Sequence, residues 1–500
     1  MNNPKQRRFP ALNYTLSVNY TQLSSCGTAS QPSPHKSFES VSQPEYLLIP
    51  NALTGFHNVR TDTLQDCSGR AVHCHLGELD ELPSDRICEI CGGTMHINYS
   101  HTMRQLWHLP YGNAISLIKF AKTQYFCPSC HHSHYQPVPF QADGHRITKQ
   151  LENYIKDLLA RNKYTIKDIA EITGVGRGII KEIDKKRLQG LYTEETEDGR
   201  KLKKPECQAK FLAIDEFKLH NGYIFATHII DLVTGHILWI AEGKKKQVVY
   251  DFIEHVGLDW MQGVVAVACD MNSDFQEAFQ ERCPHLQIVF DHFHIIKNFN
   301  EKVIAPIRIE EQKRLLAEGN TEGAAQLKKG RHILTAKRET LKDKDQKARD
   351  GGVKRKGSNL FKLRQRKCKD GNLIRYNDLI LENDLLFRID LVKDCLSEAY
   401  EQDTPEAMKL VLNKAINECR QSHNKHMLWF ANLLEGHMSG ITGYARYPIS
   451  SGKMEGINGR IKEIRRHGYG YQDDEYFFLK LIDASRHGRI PYSKSRKLDY

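Results

Sequence analysis

Three acidic residues, far apart in the chain, stand in contexts that suit one metal-binding centre: Asp215, Asp270 and Glu455. Asp215 lies inside an apolar run, Phe211-Leu212-Ala213-Ile214-Asp215-Glu216-Phe217. Asp270 ends another, Val264-Val265-Ala266-Val267-Ala268-Cys269-Asp270. Short apolar runs of this kind read as buried strands. Glu455 stands in Lys453-Met454-Glu455-Gly456-Ile457-Asn458-Gly459-Arg460-Ile461-Lys462, which has helical periodicity. Two strand carboxylates and one helix carboxylate can hold two hard divalent cations, Mg²⁺ or Mn²⁺, through oxygen ligands. A two-metal site of that kind is suited to phosphodiester cleavage.

The helix around Glu455 has two distinct faces. At about 100° per residue, Met454, Ile457, Ile461 and Ile464 form an apolar stripe. Glu455, Asn458, Lys462 and Arg466 share another side, because steps of three, seven and eleven residues return to nearly the same angle. A surface salt-bridge row is the competing reading of that side. The two strand aspartates favour the metal centre.

Several neighbours invite weaker readings. Glu216 follows Asp215 on a strand, so it is expected on the opposite face in a structural role. Asp231 and Asp274 read as turn and helix-start residues. Asp291, His292 and His294 follow a core strand. They read either as helix-start residues or as groups beside the site, touching its carboxylates or DNA. Trp239 and Trp429 are expected to pack.

Thirteen cysteines include two CxxC pairs, Cys88/Cys91 and Cys127/Cys130. Two such knuckles can present four thiolates to a structural Zn²⁺ in tetrahedral geometry. The intervening stretch, residues 92 to 126, is longer than in an ordinary zinc ribbon. His131, His132 and His134 crowd the second pair and could replace one thiolate. Four unligated thiols remain the alternative. The odd count and the scattered cysteines argue against a secreted disulfide framework and for a reducing cytoplasm.

The stretch Thr165 to Ile183 has the pattern of a helix-turn-helix. Thr165 can cap the first helix with Asp168 three residues on. Ala170 is small where helices would cross, and Gly174 suits the tight turn. Ile179, Ile180 and Ile183 would bury the second helix and leave Arg177, Lys181 and Lys185 for a DNA groove. An ordinary helical hairpin with a solvated basic face is the alternative.

The formal net charge of +11 and the pI near 8.9 favour a polyanionic partner, nucleic acid ahead of membrane. No apolar run approaches the roughly 20 residues of a membrane span, and no apolar segment follows the first basic residues as in a signal peptide.

Seven regions follow from these features. Residues 1–84 form an N-terminal region, partly disordered, with a short strand expected at Tyr46–Ile49. Residues 85–140 form the zinc module and 146–190 the helix-turn-helix. Residues 205–300 alternate three antiparallel strands, helix, strand, helix, strand. That is the order of an α/β, ribonuclease-H-like core. Residues 301–445 are a polar helical insertion with a basic tract from Lys354 to Lys369. Residues 446–486 carry the Glu455 helix, and 487–500 form a basic tail.

From about Cys88 to Tyr476 the chain resembles bacterial insertion-sequence transposases of the ISL-three type. The resemblance rests on Ile214-Asp215-Glu216-Phe217, Cys269-Asp270-Met271-Asn272, Phe290-Asp291-His292-Phe293-His294, and Met454-Glu455-Gly456-Ile457-Asn458 continuing to Gly468-Tyr469-Gly470-Tyr471. It implies a DDE catalytic triad at Asp215, Asp270 and Glu455, with Mg²⁺ as cofactor. It also implies binding of the element's own double-stranded ends, and strand cleavage followed by strand transfer. Lys462 and Arg466 would hold phosphates beside the triad. A homo-oligomer on DNA in a bacterial cytoplasm, at the nucleoid, is expected. The alternative function is a transposase-derived DNA-binding regulator without catalysis.

Overall fold

The computed structural model describes residues 53–197, 199–271, 273–350, 371–450, 452–468 and 471–487. The strand expected at Tyr46–Ile49, the basic tract from Lys354 to Lys369 and the basic tail beyond residue 487 lie outside the described residues.

The first sheet is built from β1 (Phe56–Gln65), β2 (Ala71–Leu79), β3 (His96–Tyr111), β4 (Ala114–Phe126) and β5 (Ser133–Tyr135). Its order is β1-β2-β4-β3, with β5 on β4. The pairing of β2 with β4 removes the boundary expected at residue 84: Val72 to Gly77 lie in register with Ile115 to Phe120. The polar composition of this region hid strands whose alternate residues, such as Val72 and Cys74, are buried. The long stretch between the CxxC pairs is the β3–β4 hairpin.

Three helices follow: α1 (Lys149–Ala160), α2 (Ile166–Thr173) and α3 (Arg177–Tyr192). The capping pattern read from sequence forms as expected. The Thr165 hydroxyl accepts from the Asp168 N–H, and the Asp168 carboxylate accepts from the Thr165 N–H. Gly174 ends α2 in the left-handed region, φ 74°. A Cβ there would lie 3.1 Å from both Trp107 and Ile115, so the α2–α3 turn is seated on the first sheet. A small hairpin, β6 (Thr193–Thr196) and β7 (Gly199–Leu202), leads onward.

The second sheet contains β8 (Phe211–Lys218), β9 (Phe225–Asp231), β10 (Ile237–Glu242), β11 (Ala266–Cys269) and β12 (Gln287–Phe290). Its order is β10-β9-β8-β11-β12. The first three strands run antiparallel, whereas β11 is parallel to both β8 and β12. Helices α4 (Lys246–Val256), α5 (Leu258–Gln262) and α6 (Ser273–Arg282) occur between the later strands. Leu212 and Ile214 share a core with Val249, Phe252 and Phe279 from α4 and α6. Ala213 and Phe217, one residue out of phase, pack on the opposite face with Met454, Ile457, Ile461 and Phe477. The sheet is thus covered on both sides.

Helix α7 (His292–Asn298) continues through a π-helical turn, Phe299–Ile304, into the helical region that runs from α8 (Ala305–Ala317) to α16 (Met438–Arg446). Two glycines let α16 lie directly on edge strand β12. A Cβ on Gly440 would sit 2.3 Å from the Phe290 ring, and one on Gly443 would sit 3.0 Å from the Ile288 carbonyl. The chain then enters α17 (Gly452–His467) and α18 (Asp474–Arg486). Trp239 packs against the core as expected, but Trp429 is 41% exposed.

Helices α3 and α18 are joined by buried charge. Asp184 and Asp483 are both inaccessible to solvent. Arg187 reaches Asp184 at 2.9 Å and Asp483 at 3.3 Å. Tyr476 and Lys480 donate to Asp184 at 2.7 and 3.0 Å. Tyr192 and Asn162 donate to Asp483 at 2.7 and 3.1 Å. Removing one partner of such a cluster strands the other charges without water. Asp184→Ala is expected to cost about 3–5 kcal/mol, read as a lower urea midpoint. An unchanged midpoint would refute a stabilising role for this network.

Candidate active site

Parallel register brings the strand acids together. Ala268 pairs with Ala213 on one side and with Val289 on the other. Two residues further along, Asp215, Asp270 and Asp291 therefore fall in one row, Asp215 within β8 and the other two just past the carboxyl ends of β11 and β12. The ladder continues into that row, since the Asp291 N–H donates to the Cys269 carbonyl at 3.3 Å. Antiparallel pairing adds His228, the cross-strand partner of Asp215.

Asp215 shares the face of β8 covered by α17. Asn458 on that helix donates from Nδ2 to Asp215 Oδ2 at 2.7 Å. Glu455 precedes Asn458 by three residues, so both lie on one side of α17. Met454, Ile457 and Ile461 are buried as their periodicity predicts, and Ile464 packs at the edge of that core. Glu455, Lys462 and Arg466 are exposed. The ligand atoms of Asp215, Asp270 and Glu455 do not form a group converging within 4.8 Å of one another; the Cys88, Cys91, Cys127 and Cys130 group does so among the described residues.

Burial raises the Asp215 carboxyl above its ordinary pKa, and the nearby Asp270 charge adds to this; Asn458 and the Glu216 N–H oppose it. Burial also pushes Asp270 upward. There the His294 hydrogen bond and charge, helped by the Met271 N–H, outweigh it and leave the pKa lowered. His294 Nδ1 lies 3.0 Å from Asp270 Oδ1. That hydrogen bond is the main reason the imidazole is held above its ordinary value. Hydrogen bonding to the charged form has the expected sign in both partners.

The cluster after β12 divides its tasks. Asp291 is buried and caps α7, accepting from the Phe293 N–H at 3.2 Å. His294 reaches the site. His292 packs edge-on against Tyr400, with ring centroids 4.8 Å apart. Glu216 takes the β8 face opposite Asp215, as strand alternation requires. Burial raises its pKa, Lys244 opposes, and the Asp215 and Asp270 charges add to the rise. Asp231 makes the expected turn, accepting from the Val233 and Thr234 N–H groups at 2.9 and 3.2 Å. Asp274 lies in the first turn of α6.

Sequence reasoning placed Asn458 on the correct helix face but gave it no task, and it passed over His228. His228 is fully buried, and burial lowers its pKa to about 4. No side chain among the described residues hydrogen-bonds to its ring, and the Asp215 backbone only partly opposes the shift. The available signal was a histidine in a strand that is otherwise apolar, Phe225-Ala226-Thr227-His228-Ile229-Ile230.

The cysteine site is compact. Cys88 and Cys130 sulfurs are 3.4 Å apart, and those of Cys91 and Cys127 are 3.5 Å apart. Tetrahedral Zn–S bonds of about 2.3 Å would place sulfurs roughly 3.8 Å apart, so the donor set fits zinc. Both knuckles share one backbone turn: Gly92 N–H donates to the Cys88 carbonyl and His131 N–H to that of Cys127, each at 2.9 Å. Gly92 and His131 both adopt positive φ, 68° and 57°. His131 therefore serves the turn, while His134 packs on Tyr125 with centroids 5.5 Å apart.

Of the three basic residues expected to face DNA from α3, Arg177 is exposed. Lys181 and Lys185 instead turn toward the start of α18. They lie 3.3 and 3.1 Å from Asp473, and Lys185 lies 2.8 Å from Glu475. Helical spacing alone put all three on one basic face. The acidic partners lie nearly 300 residues later and were invisible to it.

A model of the ISL-three DDE family, described as a transposase, matches residues 212–481, more than half of the chain. The chain belongs to this family. It is also 26% identical over 398 residues to the transposase for insertion sequence element IS1001 of Bordetella parapertussis, covering 80% of this chain and 88% of that protein. The match spans the second sheet from Leu212 onward together with α17, so it includes all three acids expected to form the family's triad.

Two outcomes test these sites. Asn458→Ala should lower metal-dependent DNA cleavage about 10–100-fold, the usual effect of removing a group that orients a metal ligand. A Mg²⁺ or Mn²⁺ titration of cleavage checks this, and wild-type behaviour would refute it. Cys127→Ser should lower bound zinc from about one ion per chain, measured by elemental mass spectrometry, together with the melting temperature. Equal zinc in both proteins would remove the cysteines from the metal site.

Proposed function

We propose that this transposase-family chain binds the terminal inverted repeats of its own insertion sequence and catalyses strand cleavage and strand transfer. The carrying observation is the row of Asp215 and Asp270 on adjacent parallel strands, with the Glu455 helix tied to that row by Asn458. The strand order, three antiparallel then two parallel, supports reading the core as ribonuclease-H-like.

Asp215, Asp270 and Glu455 offer hard oxygen donors that suit Mg²⁺ or Mn²⁺. When bound, such a pair of ions activates the attacking oxygen and stabilises the leaving 3′-oxygen. The residues of the chain shape the rest. Asn458 fixes the Asp215 carboxylate in rotation. His294 holds Asp270 and keeps it ionised. Neutral His228 closes the buried side of the row without adding charge. Lys462 and Arg466, exposed on the Glu455 helix, are placed to hold backbone phosphates.

The α2–α3 pair, read as a helix-turn-helix, would contact the element ends through Arg177. The Cys88, Cys91, Cys127 and Cys130 site, holding structural zinc, would brace the base of the β3–β4 hairpin. Two ends must be brought together for strand transfer, so a homo-oligomer on DNA is part of this reading, in a bacterial cytoplasm at the nucleoid. Among the described residues no helix is long and apolar enough to cross a membrane.

An excision assay tests this directly. The gene with its native flanking DNA is placed on a plasmid, and the rejoined donor or excised element is detected. Excision should occur with wild type and fall by several orders of magnitude in Asp270→Ala and Glu455→Gln, with DNA binding retained. Excision in Glu455→Gln equal to wild type would show that the third acid is misassigned. Sequence-specific binding without excision in any variant would favour the non-catalytic regulator.

A further inference from the structure

The first sheet carries a groove of about 680 Å³ that the active site does not use. Arg104 and Gln105 from β3, Lys119 and Lys122 from β4, and Gln141 and Arg146 from the segment leading into α1 all line it. Arg104 and Lys122 share one face of the sheet and Lys119 takes the other by strand alternation, so the lining carries four cations and no carboxylate. None of the four forms an ion pair among the described residues, although ion pairs are frequent elsewhere in the chain. Arg104 and Arg146 are exposed, and Lys119 and Lys122 are half-buried.

That arrangement is unfavourable without an anion. Burial lowers the pKa of the Lys122 ammonium, and the nearby Arg104 charge lowers it further. Like charges held together in a groove attract polyanions and raise their local concentration. The two glutamines add neutral hydrogen-bonding groups suited to phosphate and sugar oxygens. The sheet that carries the groove is also anchored to the α2–α3 pair. Arg70 of the first sheet region donates to the Ile172 carbonyl at 2.8 Å, and Gly174 seats the α2–α3 turn on Trp107 and Ile115.

We infer that this groove binds the phosphate backbone of duplex DNA, as a second contact on the element end separate from α3 and from the catalytic row. The inference rests on the transposase reading for its choice of polyanion. Such a contact carries little sequence information; it sets position and affinity. It also supplies cationic contact that Lys181 and Lys185, paired to α18, do not.

The test is binding of full-length protein to a fluorescent duplex from the element end, by anisotropy, from 50 to 300 mM salt. The variant is Arg104→Gln/Lys122→Gln/Arg146→Gln, which removes three charges while keeping polar side chains and leaves Lys119 in place. Each lost phosphate contact lowers the slope of log K against log salt by about 0.9. The triple variant should therefore lose between about two and three units of slope and at least about tenfold in affinity at low salt. Excision should fall with binding. If the triple variant melts early, Arg104→Gln alone, at an exposed position, should lose about one unit. Wild-type binding with an unchanged slope in the variants overturns the groove and leaves the transposase reading intact. Failure of the wild type to bind any duplex overturns both.

Discussion

Carboxylates at the ends of adjacent parallel strands repel one another, and much of the second half of this protein answers that repulsion. Asp215 and Asp270 sit in one row set by strand register. Burial raises the cost of each charge. The chain meets it with specific partners: the Asn458 amide on Asp215, the His294 imidazole on Asp270, and backbone N–H groups of Glu216 and Met271. The cross-strand neighbour His228 is buried and neutral, so it neither relieves nor adds to the charge. A hydrophobic core would not choose such a row, because two apolar residues would be cheaper there. Asp270 held below its ordinary value, in a row left partly open, suits a cation-dependent site.

The partners come from distant parts of the chain, so the site depends on the whole fold. Asn458 and Glu455 arrive only after the helical region between α8 and α16. Gly440 and Gly443 let α16 press on β12, which fixes where α17 begins. Beyond α17, the Asp184–Arg187–Asp483 cluster ties α18 to α3. A buried, fully satisfied ionic cluster is a demanding joint, since any displacement strands charge. Because α17 and α18 both pack on the β8 face, α3 is held to the same body as the carboxylate row.

Much of this was legible in the sequence, for identifiable reasons. The acids stood in apolar runs whose period of two assigns each side chain to a face. The Glu455 helix showed its buried stripe by spacing alone. The Thr165/Asp168 box and Gly174 are local devices, and local devices can be read locally. What stayed hidden was long-range. The strands Phe56–Gln65 and Ala71–Leu79 looked like a polar N-terminal region because their stabilisation comes from pairing with each other and, through Ala71–Leu79, with β4. Asn458 had no visible partner until β8 and α17 met. Lys181 and Lys185 looked free because Asp473 and Glu475 lie at the far end of the chain.

That last misreading bears on how such a protein can hold DNA. A recognition helix reads a groove with the side that its own domain leaves open. Here α3 turns Ile180, Ile183 and Leu188 into the interior and engages Lys181, Lys185 and Arg187 with α18. The first turn, with Arg177, remains available. Arg177 and Lys186, the exposed cations of α3, give few phosphate contacts, and affinity for duplex DNA scales steeply with their number. The chain's excess of 11 positive charges leaves cations for contact elsewhere. The first sheet and the exposed side of the Glu455 helix both carry cations that form no ion pair among the described residues.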